Sequence, residues 1–142
     1  MASAHFLFSK REDPDRVFSM KNKVGIIRSF VIPVPKTKLV QYKKMAKLIA
    51  KLWMEHGALS YIECVGDDLE QGKVTSFPRS VKLKKGEVVI LGWSTFKNKT
   101  QFDRVLEKVM ADKRLAPYMD PKKLGFDGMR MYWGGFKPLI QS

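Results

Sequence analysis

Three side chains around the end of one helix-like segment and the strand-like segment after it could carry acid–base chemistry. His56 ends a run with helical spacing, and Tyr61 and Glu63 lie two residues apart in the next apolar run. Because side chains alternate along a strand, Tyr61 and Glu63 share one face. A carboxylate that bonds a histidine ring orients that ring, and such a pair can act as a general base. His56 and Glu63 are therefore the candidate catalytic residues; the alternative is that His56 is a satisfied core or capping histidine.

Arg79 is a candidate ligand-binding residue because it follows Phe77-Pro78. An arginine held by a rigid turn can bind a carboxylate or a phosphate through two parallel hydrogen bonds. The alternative is a salt bridge to Asp67 or Asp68. This acidic pair offers too few oxygen ligands for a hard cation, so we expect a turn there and no metal site.

Large aromatic side chains could line a pocket for a flat ligand, since each joins an apolar body to one polar group. Trp53, Tyr61 and Trp93 are the candidates, with ordinary core and interface packing as the alternative. Cys64 has no second cysteine to pair with, and we expect a buried, inert thiol. The sequence contains no P-loop, no GxGxxG, no HExxH and no nucleophile elbow, and we expect no cofactor.

Composition narrows the class of protein. The 142 residues are 44% hydrophobic and 29% charged, as in folded globular proteins, and no apolar run is long enough to span a bilayer. The lone cysteine and the absence of a basic, apolar leader favour the cytoplasm. The net charge of +13 attracts polyanions without specificity, so binding of RNA or DNA through a lysine-rich surface remains an alternative function.

Hydrophobic periodicity predicts the elements that position these residues. We expect a polar, flexible N-terminal appendage over residues 1–19 and one domain over 20–142. Strands are predicted at 24–34, 58–65, 87–96 and 129–139, with a short one at 74–77 inside a long connection. One helix is predicted at 36–56 with Gly57 as its C-cap, and a second begins near Thr100, where Thr100 and Asp103 have capping-box spacing. Asp120-Pro121 could start a further short helix, and Gly134-Gly135 indicates a bulge or a close backbone approach.

The order β-α-β-β-α-β predicts an α+β fold of the ferredoxin-like type, an antiparallel sheet with both helices on one face. The strands are apolar on both faces, so the uncovered face would expose on the order of 800 Å² of apolar surface, more than a typical monomer shows. We therefore expect a homodimer in which two sheets pack face to face as an α+β barrel.

Five short sequence words carry a resemblance to a bacterial family. They are FVIPVPK at 30–36, EHGAL at 55–59, ECVGDD at 63–68, GKVTSFPR at 72–79 and GGFK at 134–137. Together they resemble the YbaA-like family of uncharacterised proteins, over about residues 24–140. The resemblance implies a ferredoxin-like subunit of the dimeric α+β barrel superfamily, in which pockets commonly open between sheet and helices; it implies no established reaction.

These observations favour a cytoplasmic homodimer that holds a small aromatic or anionic molecule between sheet and helices, with no membrane partner. Two alternatives from other classes stay open beside the nucleic-acid binder. One is a cofactor-independent oxygenase or isomerase, with His56 as base and Glu63 as the group that orients it. The other is a structural or regulatory dimer without a ligand.

Overall fold

Four strands and two long helices form the part of the chain that the computed structural model describes, residues 23–142. The strands are β1 (Ile26–Pro35), β2 (Ser60–Val65), β3 (Glu87–Phe96) and β4 (Tyr132–Phe136). The helices are α1 (Leu39–His56), the single turn α2 (Phe77–Ser80) and α3 (Lys99–Met110), with 3-10 turns at Lys36–Lys38, Lys113–Tyr118, Pro121–Lys123 and Gly128–Arg130. The appendage predicted over residues 1–19 lies outside the described residues.

The strands form one sheet in the order β2-β3-β1-β4, and every neighbouring pair is antiparallel. Both long helices pack on the same face of this sheet. Leu52 of α1 and Val105 of α3 meet Phe96 in one buried cluster, and Tyr42 and Met45 of α1 meet Ile32, Val34 and Ile90 in a second. The predicted α+β class is therefore confirmed.

Side-chain caps start α3 and the Pro121–Lys123 turn, whereas α1 has no side-chain cap. The predicted cap at Thr100 is wrong, because α3 already begins at Lys99. Asn98 has an extended backbone, and its side-chain oxygen accepts the N–H of Gln101 at 2.8 Å, so Asn98 is the N-cap. Asp120 caps the Pro121–Lys123 turn in the same way, which confirms the short element predicted there. Gly57 follows α1 with a φ of +123°, a conformation that favours glycine.

The second face of the sheet is partly covered by the connection between β2 and β3. The strand predicted at 74–77 is wrong: Val74 is exposed, and the chain instead turns through α2, which Ser76 caps by accepting the N–H of Arg79. Val81 then packs on Val31 and Val89 and is buried with them. The uncovered face is consequently smaller than the sequence indicates.

Two strand glycines leave room for large side chains of β1 to pack directly on their backbone. The Phe30 ring lies over Gly92, where an added Cβ would stand 2.0 Å from ring carbons. The Arg28 side chain crosses Gly135 in the same manner, with Nη1 2.6 Å from the position of a Cβ. The β1–β4 register runs unbroken past Gly134 and Gly135, so the glycine pair does not mark a bulge. Close approach explains Gly135 alone, because a Cβ added at Gly134 would meet no atom nearer than 3.7 Å.

Candidate functional site

An apolar groove lies between α1 and the edge strand β2. It has a volume of about 460 Å³ and is mainly apolar. Helix α1 contributes one wall and β2 the other, and Ile90 of β3 also lines it. The lining residues are Leu39, Tyr42, Lys43, Ala46, Lys47, Ala50, Tyr61, Ile62, Glu63, Cys64, Val65 and Ile90.

One carboxylate, Glu63, accepts hydrogen bonds from two phenols inside this groove. Tyr61 donates to Oε2 at 2.8 Å, and Tyr42, reaching across from α1, donates to Oε1. Burial, followed by the neighbouring negative charge of Glu63, raises the pKa of both phenols far above the usual value. The two hydroxyls therefore stay protonated and fix the carboxylate, which keeps free lone pairs for a further donor.

Two lysines complete the groove. Lys43 and Lys47 lie one helical turn apart on α1, and both line the groove beside the apolar Leu39, Ala46 and Ala50. Both are exposed, and neither forms an ion pair within the described part of the chain. The arrangement thus offers an apolar floor, a fixed carboxylate acceptor and two cations, which suits a flat molecule carrying an anionic group and a hydrogen-bond donor.

The structure separates His56 from Glu63, so the expected pair does not form. His56 Nε2 instead lies 2.9 Å from Oδ2 of Asp112, beyond the end of α3. Arg114 bonds both oxygens of Asp112 and also Glu55, at 2.6 Å. Hydrogen bonds from Arg114, then from His56, hold the pKa of the Asp112 carboxyl below its usual range. This cluster ties the end of α1 to the turn after α3.

The other candidate side chains lie apart from the groove, except Tyr61. Arg79 donates to the backbone carbonyls of Gln71, from Nε at 2.6 Å, and Gly72, from Nη2 at 3.2 Å; it makes no salt bridge to the acidic pair at 67–68. Trp53 packs in the core, stacked on Phe102. Trp93 lies on the sheet face opposite the long helices and is 41% exposed. The expected burial of Cys64 is wrong, because its residue is exposed at the sheet edge.

The sequence pattern does not identify Tyr42 as part of a polar site. Its position in the apolar stripe of α1 indicates core packing, and its ring does pack against Phe126. The available signal was the phenol itself, because a hydroxyl in a buried stripe needs a partner. That partner, Glu63, is 21 residues away, and periodicity alone does not identify it.

The described residues 23–142 contain no cluster of three or more His, Cys, Asp or Glu side chains that could hold a metal ion. In the same part of the chain, no helix is long and apolar enough to cross a membrane.

Comparison with known proteins places the chain in a family. Residues 26–128 match the family model described as "Protein of unknown function (DUF1428)". The chain belongs to the DUF1428 family. This DUF1428 member is 37% identical over 116 residues to the proteins named "Uncharacterized protein YbaA" from Escherichia coli K12, Escherichia coli O157:H7 and Shigella flexneri. Those alignments cover 82% of this chain and 97% of each relative, which confirms the family that the sequence words resemble.

Among solved structures, the de novo designed protein Foldit4 is similar with a TM-score of 0.39 and 13% identity, covering 82% of this chain and 98% of that one.

Proposed function

We propose that this DUF1428 member is a cytoplasmic, homodimeric protein that binds a small aromatic anion in the groove between α1 and β2. The observation that carries the proposal is the Glu63 carboxylate, fixed by Tyr42 and Tyr61 in an apolar groove beside Lys43 and Lys47. A carboxylate so oriented is preorganised to accept one more hydrogen bond, and preorganisation lowers the cost of binding.

The chemistry of the groove defines the ligand by three features. Its body is flat and apolar, because most of the lining is apolar. An anionic group faces Lys43 and Lys47, and a hydroxyl or amine donates to Glu63. His56 takes no part, since its ring is bonded to Asp112.

A probe with its two polar groups at opposite ends tests this assignment. 6-Hydroxy-2-naphthoate carries both anchors, 2-naphthoate lacks the donor and 2-naphthol lacks the carboxylate. We expect the first to bind most tightly by isothermal titration calorimetry. Each lost charge-assisted hydrogen bond is worth about 1.5–3 kcal/mol, so each missing anchor weakens binding about tenfold or more.

Matched variants separate the groove from the rest of the surface. The double variant Lys43→Gln with Lys47→Gln should weaken the binding of both naphthoates. Glu63→Gln should reduce the difference in affinity between 6-hydroxy-2-naphthoate and 2-naphthoate. Lys44→Gln changes the charge of α1 outside the groove and leaves affinity within about twofold. Equal affinities for all three probes, or unchanged affinity in the groove variants, would contradict the proposal.

We further propose that the subunit is ferredoxin-like and pairs through the sheet face opposite α1 and α3. The antiparallel order β2-β3-β1-β4 supports this fold. Ile62, Trp93, Tyr132 and Phe136 are each 41–59% exposed on this face. Together they expose on the order of 500 Å², against about 800 Å² per partner in a standard interface. The exposed Leu69 and Phe77 beside Cys64 extend the apolar surface toward that value.

The assembly is tested by sedimentation velocity at about 10 µM, a concentration at which a standard-sized interface is usually occupied. We expect a dimer that Trp93→Asp dissociates into folded monomers. Val40→Asp is the control, because Val40 is an exposed apolar residue of α1 on the other side of the molecule. A folded wild-type monomer at that concentration would refute the proposed interface.

A further inference from the structure

A second groove, separate from the one beside Glu63, lies along the connection between β2 and β3. It has a volume of about 590 Å³ and a mainly polar lining. Its residues are Gln71, Pro78, Arg79, Lys82, Leu83, Lys84, Lys85, Gly86 and Glu87. We propose that this basic groove binds a ligand with two or more linked phosphate groups, such as an inorganic oligophosphate or a nucleoside polyphosphate.

The charges in the basic groove are unbalanced. Four of its nine lining residues are cationic, and Glu87 is its one carboxylate. That carboxylate is already occupied: Arg130 donates to both of its oxygens at 2.7 Å, and the backbone N–H of Lys84 donates to Oε1 at 2.7 Å. Within the described residues, Lys82, Lys84 and Lys85 form no salt bridge. Lys84 lies close enough to Glu87 and Asp127 to help lower the pKa of both carboxyls, so its charge is partly offset. The positive charge of Lys82 and Lys85 is available to an anion from solution.

The backbone that carries these cations is held in place. Arg79 fixes the incoming chain through the carbonyls of Gln71 and Gly72. Arg130 donates to the carbonyl of Lys82 at 3.1 Å, and Val81 is anchored in the apolar cluster under the connection. A fixed backbone keeps the lysine stems converging on one space, so a bound anion orders only the ends of the side chains.

Lys82 has a backbone conformation that its side chain disfavours. Its φ is +49°, and no other described residue except glycine has a positive φ. Glycine would satisfy the turn after α2 without strain, so a lysine with this φ motivates a functional explanation of the position. At this position the lysine adds a cation to the basic groove, which glycine would not.

The composition of the lining favours phosphates over an aromatic anion. Lysine ammonium groups bind phosphate oxygens as point charges, and several of them around one concavity match several linked phosphates. The lining lacks aromatic residues. An apolar ligand body therefore gains little here, in contrast to the groove beside Glu63.

Calorimetric titration with sodium tripolyphosphate in 0.15 M KCl tests the proposal on the full chain. We expect a dissociation constant below about 1 mM, and at least about tenfold weaker binding for the combined variant Lys82→Gln, Lys84→Gln and Lys85→Gln. The control, Lys44→Gln with Lys108→Gln and Lys123→Gln, removes the same charge elsewhere and should change affinity less than about twofold. An equal loss in both variants would show long-range attraction only and overturn the site.

Lys82→Gly separates binding from folding. This single change relieves the strained φ, so the melting temperature should stay the same or rise, while the affinity for tripolyphosphate falls. Unchanged affinity would overturn the proposal.

A single-stranded RNA octamer distinguishes the source of the phosphates. Tripolyphosphate should bind in the absence of RNA, and it should displace any RNA that binds to the basic groove. RNA binding that is sensitive to the three lysines, with no binding of tripolyphosphate, would also overturn it.

Discussion

Replacing Arg130 with methionine is expected to destabilise the fold severely, although Arg130 lies in a short turn. Its guanidinium bonds both oxygens of Glu87, Oδ2 of Asp127 at 3.0 Å and the carbonyl of Lys82. Only 13% of the Arg130 side chain and 8% of the Glu87 side chain are exposed. The substitution leaves Glu87 Oε2 without a donor and releases the connection that covers β1 and β3.

The magnitude follows from the burial of this pair. Removing one partner of a buried ion pair costs about 3–5 kcal/mol because the other charge is left uncompensated. Arg130 keeps some contact with water, so we expect the lower end, about 3 kcal/mol, or a loss of about 10 °C or more in Tm for a domain of this size. In the double variant Arg130→Met with Glu87→Gln, the loss should be smaller than the sum of the two single losses.

Urea unfolding followed by circular dichroism measures these free energies. Lys99→Met is the matched control, because Lys99 pairs with Asp103 across one exposed helical turn at 3.1 Å. An exposed pair of this kind contributes about 0.3–0.5 kcal/mol. A loss for Arg130→Met no larger than that of the control, with an unchanged m-value, would refute the argument that this ion pair holds the connection in place.

Three further outcomes are expected. Arg130 lowers the pKa of the carboxylates it holds, so the wild type should lose stability as pH falls from about 5 to 3, and Arg130→Met should lose less over the same range in urea titrations. Asn98→Ala should lower the free energy of unfolding by about 1 kcal/mol, and Thr100→Ala by less than about 0.5 kcal/mol. A larger loss for Thr100→Ala than for Asn98→Ala would show that Thr100 is the cap. Gly92→Ala should lower the free energy of unfolding by about 1–3 kcal/mol because the new Cβ crowds the Phe30 ring, and by clearly less in a Phe30→Leu background. Equal losses in both backgrounds would contradict the conclusion that the Phe30 ring requires a glycine at position 92.

Local patterns predict the regular elements well. The strand expected at 87–96 has those bounds in the structure, since a run of β-branched residues, Val88 to Ile90, lies near its start and Gly86 precedes it. The helix expected at 36–56 ends at His56 as predicted, but its first three residues form a 3-10 turn. The fourth strand is shorter than the apolar run that predicts it, because the chain pairs with β1 only over Tyr132–Phe136.

Partners that are distant in sequence could not be predicted in this way. Alternation along β2 predicts that Tyr61 and Glu63 share a face, whereas Tyr42, which also bonds Glu63, comes from the facing helix α1. The bond from His56 to Asp112 joins residues 56 positions apart, and the cover over the second sheet face depends on Arg130, 43 positions beyond Glu87. No periodic signal encodes such pairings, since they arise only when the sheet and helices are assembled.

The strand order has a consequence for synthesis on the ribosome. Among the strands of residues 23–142, β1 is the first to be made, yet within these residues one of its two sides pairs only with β4, which emerges about a hundred residues later. Until then β1 is an unprotected edge onto which another nascent chain could add a strand. Pro33 and Pro35 lie just past the stretch that β4 will occupy, and a proline has no N–H to donate there. They shorten the side of β1 that a wrong neighbour could use while the last strand is still being translated.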